Sequence, residues 1–276
     1  MMRLALMVLA FSASAAWSSS PEPVSSDWFS GFNNKARLIA GHAVRNGQEG
    51  LYAGVEIAMP QGWKTYWRSP GDAGGVPPEF DWQRSENLAS AEVLFPAPHR
   101  LHDKAGDVAG YKDNVLFPVL LKPKDKGKPV ILRGKVSYGV CKDICVPAEA
   151  ELQVVIPPDA GNSQTLSNVL SRVPNRPART GLDPSLAAWT LDHAAGRPKL
   201  ILQVETASPG EADAFVEAPG GIYVPLPKRL PGGSSGKAVF EVDLSDGVDL
   251  TALKGQPLTV TMVDDRGQSE TTITLE

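Results

Sequence analysis

Residues 130–156 read VILRGKVSYGVCKDICVPAEAELQVVI, and this stretch decides the fold class. Within it, residues 130–138 and 151–156 alternate apolar and polar side chains, a period of two that predicts half-buried β-strands. Cys141 and Cys145 lie between the two strands. Residues near the turn of an antiparallel pair can bring their Cβ atoms close enough for a disulfide, so the pattern is compatible with a bond across a hairpin.

The same alternation continues on both sides of this stretch. Residues 36–42 and 51–59 predict two strands joined at Asn46-Gly47, a dipeptide that favours tight hairpin turns. Further short strands are predicted at residues 92–95, 114–121, 199–206, 213–217, 222–225, 238–244, 258–264 and 270–275. Short alternating strands at this spacing are typical of β-sandwiches, so we expect an all-β protein.

Length and composition favour two domains. The chain has 276 residues, more than the usual size of one domain, and 42% of them are hydrophobic. We expect a first β-sandwich over residues 32–158, a linker with a short helix over 159–184, and a second β-sandwich over 185–276. A net charge of −4 argues against binding to nucleic acid or to anionic membranes.

The amino terminus has the pattern of an export signal. Arg3 precedes a short apolar run at residues 4–11, and small residues follow at 12–16. This predicts a signal peptide over residues 1–16 that is cleaved after export, followed by a polar leader over 17–31 that we expect to be disordered. The apolar run is shorter than the roughly 20 residues that span a bilayer, so we expect no direct membrane insertion and a periplasmic location.

The two cysteines, Cys141 and Cys145, are the leading candidates for chemistry. Their short separation closes a ring that stabilises the fold by only about 2 kcal/mol, which favours a redox role over a structural one. Lys142 would favour the reactive thiolate of Cys141, whereas Asp143 would oppose it. An inert hairpin disulfide remains the alternative.

A metal site is a third interpretation of the cysteine pair. The cysteines and some of His42, His99 and His102 would suit copper(I) or zinc, but isolated surface histidines explain the sequence more simply. We therefore predict no metal and no cofactor.

Apart from the cysteines, a stretch rich in Trp, Tyr and Gly at residues 62–75 is also a candidate for function. It offers either a docking surface or a shield for the disulfide. We expect Trp63 and Trp82 to lie in the core, and Tyr66 and Trp67 to be partly exposed.

Several motifs together resemble a known family. They are GWKTYWR (62–68), FPAP (95–98), GY (110–111), VLFPV (115–119), VSYGVC (136–141) and CVP (145–147). Their order over residues 32–157 resembles the amino-terminal periplasmic domain of the thiol:disulfide interchange protein DsbD. The sequence WRSPGDAG at residues 67–74 is similar to the copper-tolerance ScsB type, which the second β set resembles loosely.

The resemblance implies an immunoglobulin-like fold whose cysteine pair relays reducing equivalents. Carried over by position, Cys141 and Cys145 form the redox pair, and Cys145 matches the cysteine that forms mixed disulfides. The expected partners are periplasmic thioredoxin-fold proteins. A separate membrane electron-transfer protein is also expected, because this sequence contains no membrane conduit. The alternatives are a non-catalytic docking module and a copper-handling protein.

In this family a phenylalanine on a cap loop shields the disulfide. By position that loop falls on residues 102–105, where Lys104 replaces the aromatic residue, so Tyr66 or Trp67 is the alternative cap. His102 and Asp103 are the candidates for proton transfer.

Overall fold

The computed structural model describes residues 22–103, 106–192, 196–231, 236–245 and 247–275. The predicted signal peptide over residues 1–16 lies outside these ranges. Neither helix in the described ranges is long and apolar enough to cross a membrane.

The described residues of the first part of the chain form twelve strands and one helix. They are β1 Val24–Ser25, β2 Phe29–Gly31, β3 Asn34–Arg45, β4 Gln48–Ala58, β5 Lys64–Tyr66, β6 Glu79–Asp81, β7 Leu88–Val93, β8 His99–Asp103, β9 Gly106–Lys112, β10 Asn114–Pro123, β11 Val130–Cys141, β12 Cys145–Ile156 and α1 Gln164–Leu170. The second part adds β13 Ser185–Asp192, β14 Lys199–Glu205, β15 Asp213–Glu217, β16 Lys228–Arg229, β17 Lys237–Asp243, α2 Leu250–Leu253, β18 Pro257–Val263 and β19 Gln268–Thr274.

Two sheets of six strands face each other in the first sandwich. One has the order β1-β3-β4-β10-β7, with β2 beside β3, and the other has the order β12-β11-β5-β9-β8, with β6 beside β11. Alternate residues of both sheets fill one apolar core. Asn46 and Gly47 have positive φ angles of 51° and 78° and form the predicted tight turn between β3 and β4.

The residues just before the first sandwich are ordered, contrary to our expectation. Residues 17–31 were predicted to be disordered, yet β1 and β2 both pair with β3. The backbone N–H of Ser26 also donates to the carbonyl of Leu38 at 2.8 Å. Val24 and Phe29 pack against the core. The prediction was wrong for residues 24–25 and 29–31 because edge pairing and two apolar contacts offset the polar composition.

The second sandwich consists of two smaller sheets around a separate core. Their orders are β13-β14-β17-β16 and β15-β18-β19. All strand pairs of named elements are antiparallel, and the prediction of an all-β protein with two immunoglobulin-like sandwiches is confirmed.

Helix α1 lies within the segment that was expected to be a linker with a short helix. Ser163 begins it, since its side chain accepts a hydrogen bond from the backbone of Leu166 at 3.3 Å. Leu166 and Leu170 are buried against Ile39 and Tyr52 of the first sandwich. Helix α1 therefore packs on the first sandwich, whereas Asn175 and Arg176 of the same segment bind the second.

The two sandwiches share a packed interface. Phe215 and Leu226 of the second sandwich belong to the apolar core of the first. The ring of Phe215 meets Trp67 edge-on, with centroids 5.7 Å apart. The Arg100 guanidinium binds the Asp213 carboxylate through two hydrogen bonds of 3.0 and 2.7 Å. Apolar and ionic contacts thus hold the sandwiches together.

A group of ionic side chains also joins the two sandwiches. Arg68 Nε donates to both carboxylate oxygens of Glu217 at 2.8 and 2.9 Å, and its Nη2 donates to Glu270. Arg176 Nε donates to the other Glu270 oxygen at 2.7 Å, while Thr261 donates to the first at 3.0 Å. Burial raises the pKa of the Glu270 carboxyl, but Arg68 and Arg176 outweigh it and hold the pKa below its ordinary value.

Acid is expected to weaken the fold through Glu270. Because its pKa is lower in the folded protein, its stabilising effect is complete above the unfolded pKa of about 4.3 and is lost as pH falls through the folded pKa. The difference in unfolding free energy between wild type and Glu270→Gln should therefore be largest near about pH 7 and shrink below about pH 4. Urea unfolding across this range measures it. Glu151 forms an exposed ion pair with Arg84, so Glu151→Gln is the control, and its unfolding free energy should differ from that of the wild type by nearly the same amount at every pH. An equal pH dependence for both variants would contradict the prediction.

Candidate functional site at the disulfide

The cysteines close the long β11–β12 hairpin. The two strands pair in unbroken register from Val130–Ile156 to Cys141–Cys145. The cysteine Cα atoms are 4.2 Å apart, and the sulfurs are bonded to each other. The turn beyond them is short, and the backbone N–H of Lys142 donates to the carbonyl of Ile144 at 3.1 Å. The disulfide therefore lies at the closed end of the β11–β12 hairpin, where Cys141 also pairs with Lys64 of β5.

The two cysteines differ in their access to solvent. Cys141 is 1% exposed and belongs to a small apolar cluster with Tyr66, Leu101 and Val108. Cys145, by contrast, is an exposed residue, and its neighbour Ile144 is 65% exposed. An incoming thiol therefore meets Cys145 first, while Cys141 is shielded beneath it.

Tyr66 places a polar group on the disulfide. Its hydroxyl oxygen is 3.0 Å from Cys141 Sγ and 3.1 Å from Cys145 Sγ. A disulfide carries no proton, so the phenol is the donor. Strand β5 positions this residue between β9 and β11, and Thr65 donates to the carbonyl of Gly139 at 2.8 Å.

The aromatic residues are buried differently from our expectation. Tyr66 and Trp67 were predicted to be partly exposed but are 4% and 1% exposed, whereas Trp63 and Trp82 are only half-buried. Tyr66 is covered because it lies over the disulfide, and Trp67 because Phe215 packs on it. Of the two alternative cap residues, Tyr66 contacts the sulfurs and Trp67 lies in the interface between the sandwiches.

The loop of residues 70–76 covers the Tyr66 ring. Gly75 lies flat against it, since a Cβ atom there would be 2.4 Å from the ring, and its φ of 152° also disfavours other residues. The carbonyl of Val76 accepts a hydrogen bond from Gly139 at 3.2 Å, and Ala73 packs on the cluster around Cys141. This loop therefore lines one edge of the Tyr66 ring.

The remaining predicted residues lie on or beside the β8–β9 hairpin. His102 is exposed, and its Nδ1 lies 2.7 Å from an Asp107 oxygen, so its bond is to a neighbour in the hairpin instead of to a cysteine. Asp103 is the last residue of β8, and the structure describes its backbone only. Lys104 lies outside the described residues. In the described ranges no three His, Cys, Asp or Glu side chains group as metal ligands would.

Two residues of the site were missed by sequence reasoning. Arg68 and Asp72 lie within the quoted WRSPGDAG motif and reach across to the second sandwich. The motif itself was the available signal, because a charged pair inside an aromatic, glycine-rich stretch has no obvious local partner. What the sequence did not offer is the position of the second sandwich beside it.

The arrangement supports thiol–disulfide exchange. Exchange requires a thiolate to attack one sulfur while the other leaves as a thiolate. Attack on the exposed Cys145 would make Cys141 the leaving group. The Tyr66 hydroxyl is placed to donate to that developing negative charge.

Comparisons with known proteins agree with this geometry. Residues 36–157 match the family model described as "Thiol:disulfide interchange protein DsbD, N-terminal". The fold is similar to the crystal structure of the N-terminal periplasmic domain of ScsB from Proteus mirabilis. The TM-score is 0.69 at 21% sequence identity, over 92% of this chain and 99% of that chain. No curated protein sequence matches the chain. The resemblance inferred from the motifs is confirmed.

Proposed function

Taking residues 36–157 as a domain of the DsbD amino-terminal type, we propose that this protein exchanges thiols and disulfides with thioredoxin-fold partners through Cys141 and Cys145. It relays two reducing equivalents at a time. The observation that carries the proposal is the asymmetric disulfide, with Cys145 exposed, Cys141 buried and the Tyr66 hydroxyl on both sulfurs.

The exchange proceeds in two steps. A partner thiolate attacks Cys145 Sγ, the Cys141–Cys145 bond breaks, and Cys141 leaves as a thiolate that accepts the Tyr66 hydrogen bond. The second thiolate of the partner then attacks the partner's own sulfur in the mixed disulfide and releases Cys145. The pair has gained two electrons, and the partner's dithiol has become a disulfide. The same steps run backwards when the reduced pair passes its electrons on.

We place this reaction in the periplasm. The similar ScsB domain is periplasmic, and residues 1–16 have the pattern of a signal peptide. A separate membrane protein would supply the electrons. Ile144 is exposed beside Cys145, and Val76 is exposed at the end of the 70–76 loop; both would form the apolar contact for a partner.

The reduction potential tests the proposal. The purified oxidised protein is equilibrated in dithiothreitol and glutathione buffers, and the fraction with free thiols is read from their alkylation. We expect a potential above about −300 mV, the range of labile and catalytic disulfides. A lower value would assign the bond a purely structural role and favour a docking module.

A second measurement separates exchange from mere reducibility. Reduced thioredoxin is mixed with the oxidised protein, and the transfer of its electrons to Cys141 and Cys145 is followed over time. Transfer should be much faster than from an equal concentration of a small monothiol, because a docked partner presents its thiolate to Cys145. Equal rates would argue against recognition of a thioredoxin fold.

A further inference from the structure

The second sandwich holds the loop that covers Tyr66. Asp72, in the 70–76 loop, accepts two hydrogen bonds through one carboxylate oxygen. One comes from the backbone N–H of Leu226 at 2.9 Å and the other from the Tyr223 hydroxyl at 3.1 Å. Gly71 lies against the Leu226 side chain, where a Cβ would be 2.7 Å from its Cγ atom. The loop is thus pinned to the other domain near its midpoint.

The opposite side of the same loop presses on Tyr66. Gly75 contacts the ring, and Val76 and the ring both lie against Gly139 of β11. Within the loop itself, the local tie is a turn in which the Gly74 N–H donates to the Gly71 carbonyl at 3.1 Å. A loop with three glycines in seven residues has little stiffness of its own, so external contacts must fix its shape.

We infer that Asp72 is a positioning residue, through which the second sandwich fixes the 70–76 loop and thereby holds the Tyr66 hydroxyl at the two sulfurs. The contact sequence runs from Tyr223 and Leu226 through Asp72 and Gly75 to Tyr66. The second sandwich therefore contributes to the chemistry of a disulfide whose sulfurs, among the described residues, are hydrogen-bonded by Tyr66 of the first sandwich. The inference rests on the proposed exchange mechanism, in which Tyr66 stabilises the leaving Cys141.

A double-mutant cycle on the rate of reduction tests this coupling. The oxidised protein is reduced with excess dithiothreitol, a small probe that reacts whether or not a protein partner exists. Asp72→Ala should slow reduction about tenfold when Tyr66 is present, the effect of about 1.4 kcal/mol in the barrier. In a Tyr66→Phe background the same change should alter the rate less than about twofold, because the hydroxyl it positions is absent.

Two variants serve as controls. Asp72→Asn keeps an acceptor oxygen for Leu226 and Tyr223 and should restore most of the rate. Asp125 lies in a loop of the first sandwich away from the disulfide and accepts a hydrogen bond from the backbone N–H of Gly127 at 2.9 Å. Asp125→Ala should therefore leave the rate of reduction unchanged.

The outcomes separate the inference from the proposed function. If Asp72→Ala changes the rate of reduction equally in both backgrounds, or changes it no more than Asp125→Ala does, the positioning role is overturned. The exchange proposal is then still decided by the reduction potential. If the coupling appears but the potential lies below about −300 mV, the positioning holds and the exchange proposal fails.

Discussion

A Cys141→Ser variant is expected to form a covalent complex with a thioredoxin, whereas Cys145→Ser is expected to form almost none. The thioredoxin carries one active-site cysteine, activated as a mixed disulfide with thionitrobenzoate. The remaining thiolate of the variant attacks the thioredoxin sulfur, thionitrobenzoate leaves, and the new disulfide joins the two proteins. Non-reducing gels and the colour of the released thionitrobenzoate both measure the reaction.

The difference follows from exposure. Cys145 begins β12 at the surface, while Cys141 is 1% exposed among Tyr66, Leu101 and Val108. A protein reagent can reach Cys141 only after the cluster opens. An opening that costs about 3 kcal/mol would slow the reaction about a hundredfold.

Unfolding of the two variants provides the control for this experiment. After unfolding in denaturant, both variants should react with the activated thioredoxin at similar rates, since burial no longer distinguishes their thiols. Equal rates for the two folded variants would contradict the assignment of Cys145 as the attacked sulfur. Faster reaction of Cys145→Ser would reverse it.

An Arg68→Met variant is expected to lose about 3 kcal/mol of unfolding free energy. Arg68 joins Glu217 and Glu270 of the second sandwich, and it also stacks 4.5 Å from the Trp67 ring centroid. Glu270 is 7% exposed and would keep Arg176, but Glu217 would lose the guanidinium that binds both its oxygens. A half-buried carboxylate without its partner is costly, and methionine fills the space without restoring the charge.

The exposed pair of Arg84 and Glu151 is the matched control. Its ion contact is 3.0 Å long, yet both side chains are largely in solvent. Arg84→Met should therefore change the unfolding free energy, measured by urea denaturation at neutral pH, by less than about 1 kcal/mol. A loss for Arg68→Met no greater than this would show that the ionic group does not hold the sandwiches together.

Local patterns predicted the framework of the site well. The two-residue period of residues 130–138 and 151–156 predicted the strands that carry the cysteines, and the dipeptide Asn46-Gly47 predicted the turn between β3 and β4. Both signals depend on neighbours in sequence. The strands extend further than predicted, up to Cys141 and from Cys145. Pairing across the hairpin continues where the apolar alternation no longer marks it.

Contacts between distant segments were not predictable in the same way. Tyr66 is 75 positions from Cys141, and Asp72 is 154 positions from Leu226. Nothing local in the sequence indicates that short strand β5 inserts beside β11, or that residues 222–226 meet the 70–76 loop. The expected exposure of Tyr66 and Trp67 was wrong for this reason, since the groups that bury them come from elsewhere in the chain.

The β11–β12 hairpin has a consequence for the reduced protein. The cysteines are the last of twelve directly paired positions in an unbroken ladder, and the sulfur bond is only one of its cross-links. When that bond is cut, the other pairs still hold the two thiols opposite each other. Ring closure then needs almost no search of conformations, so each thiol experiences a high effective concentration of the other. The proposed exchange would therefore need no refolding of the hairpin.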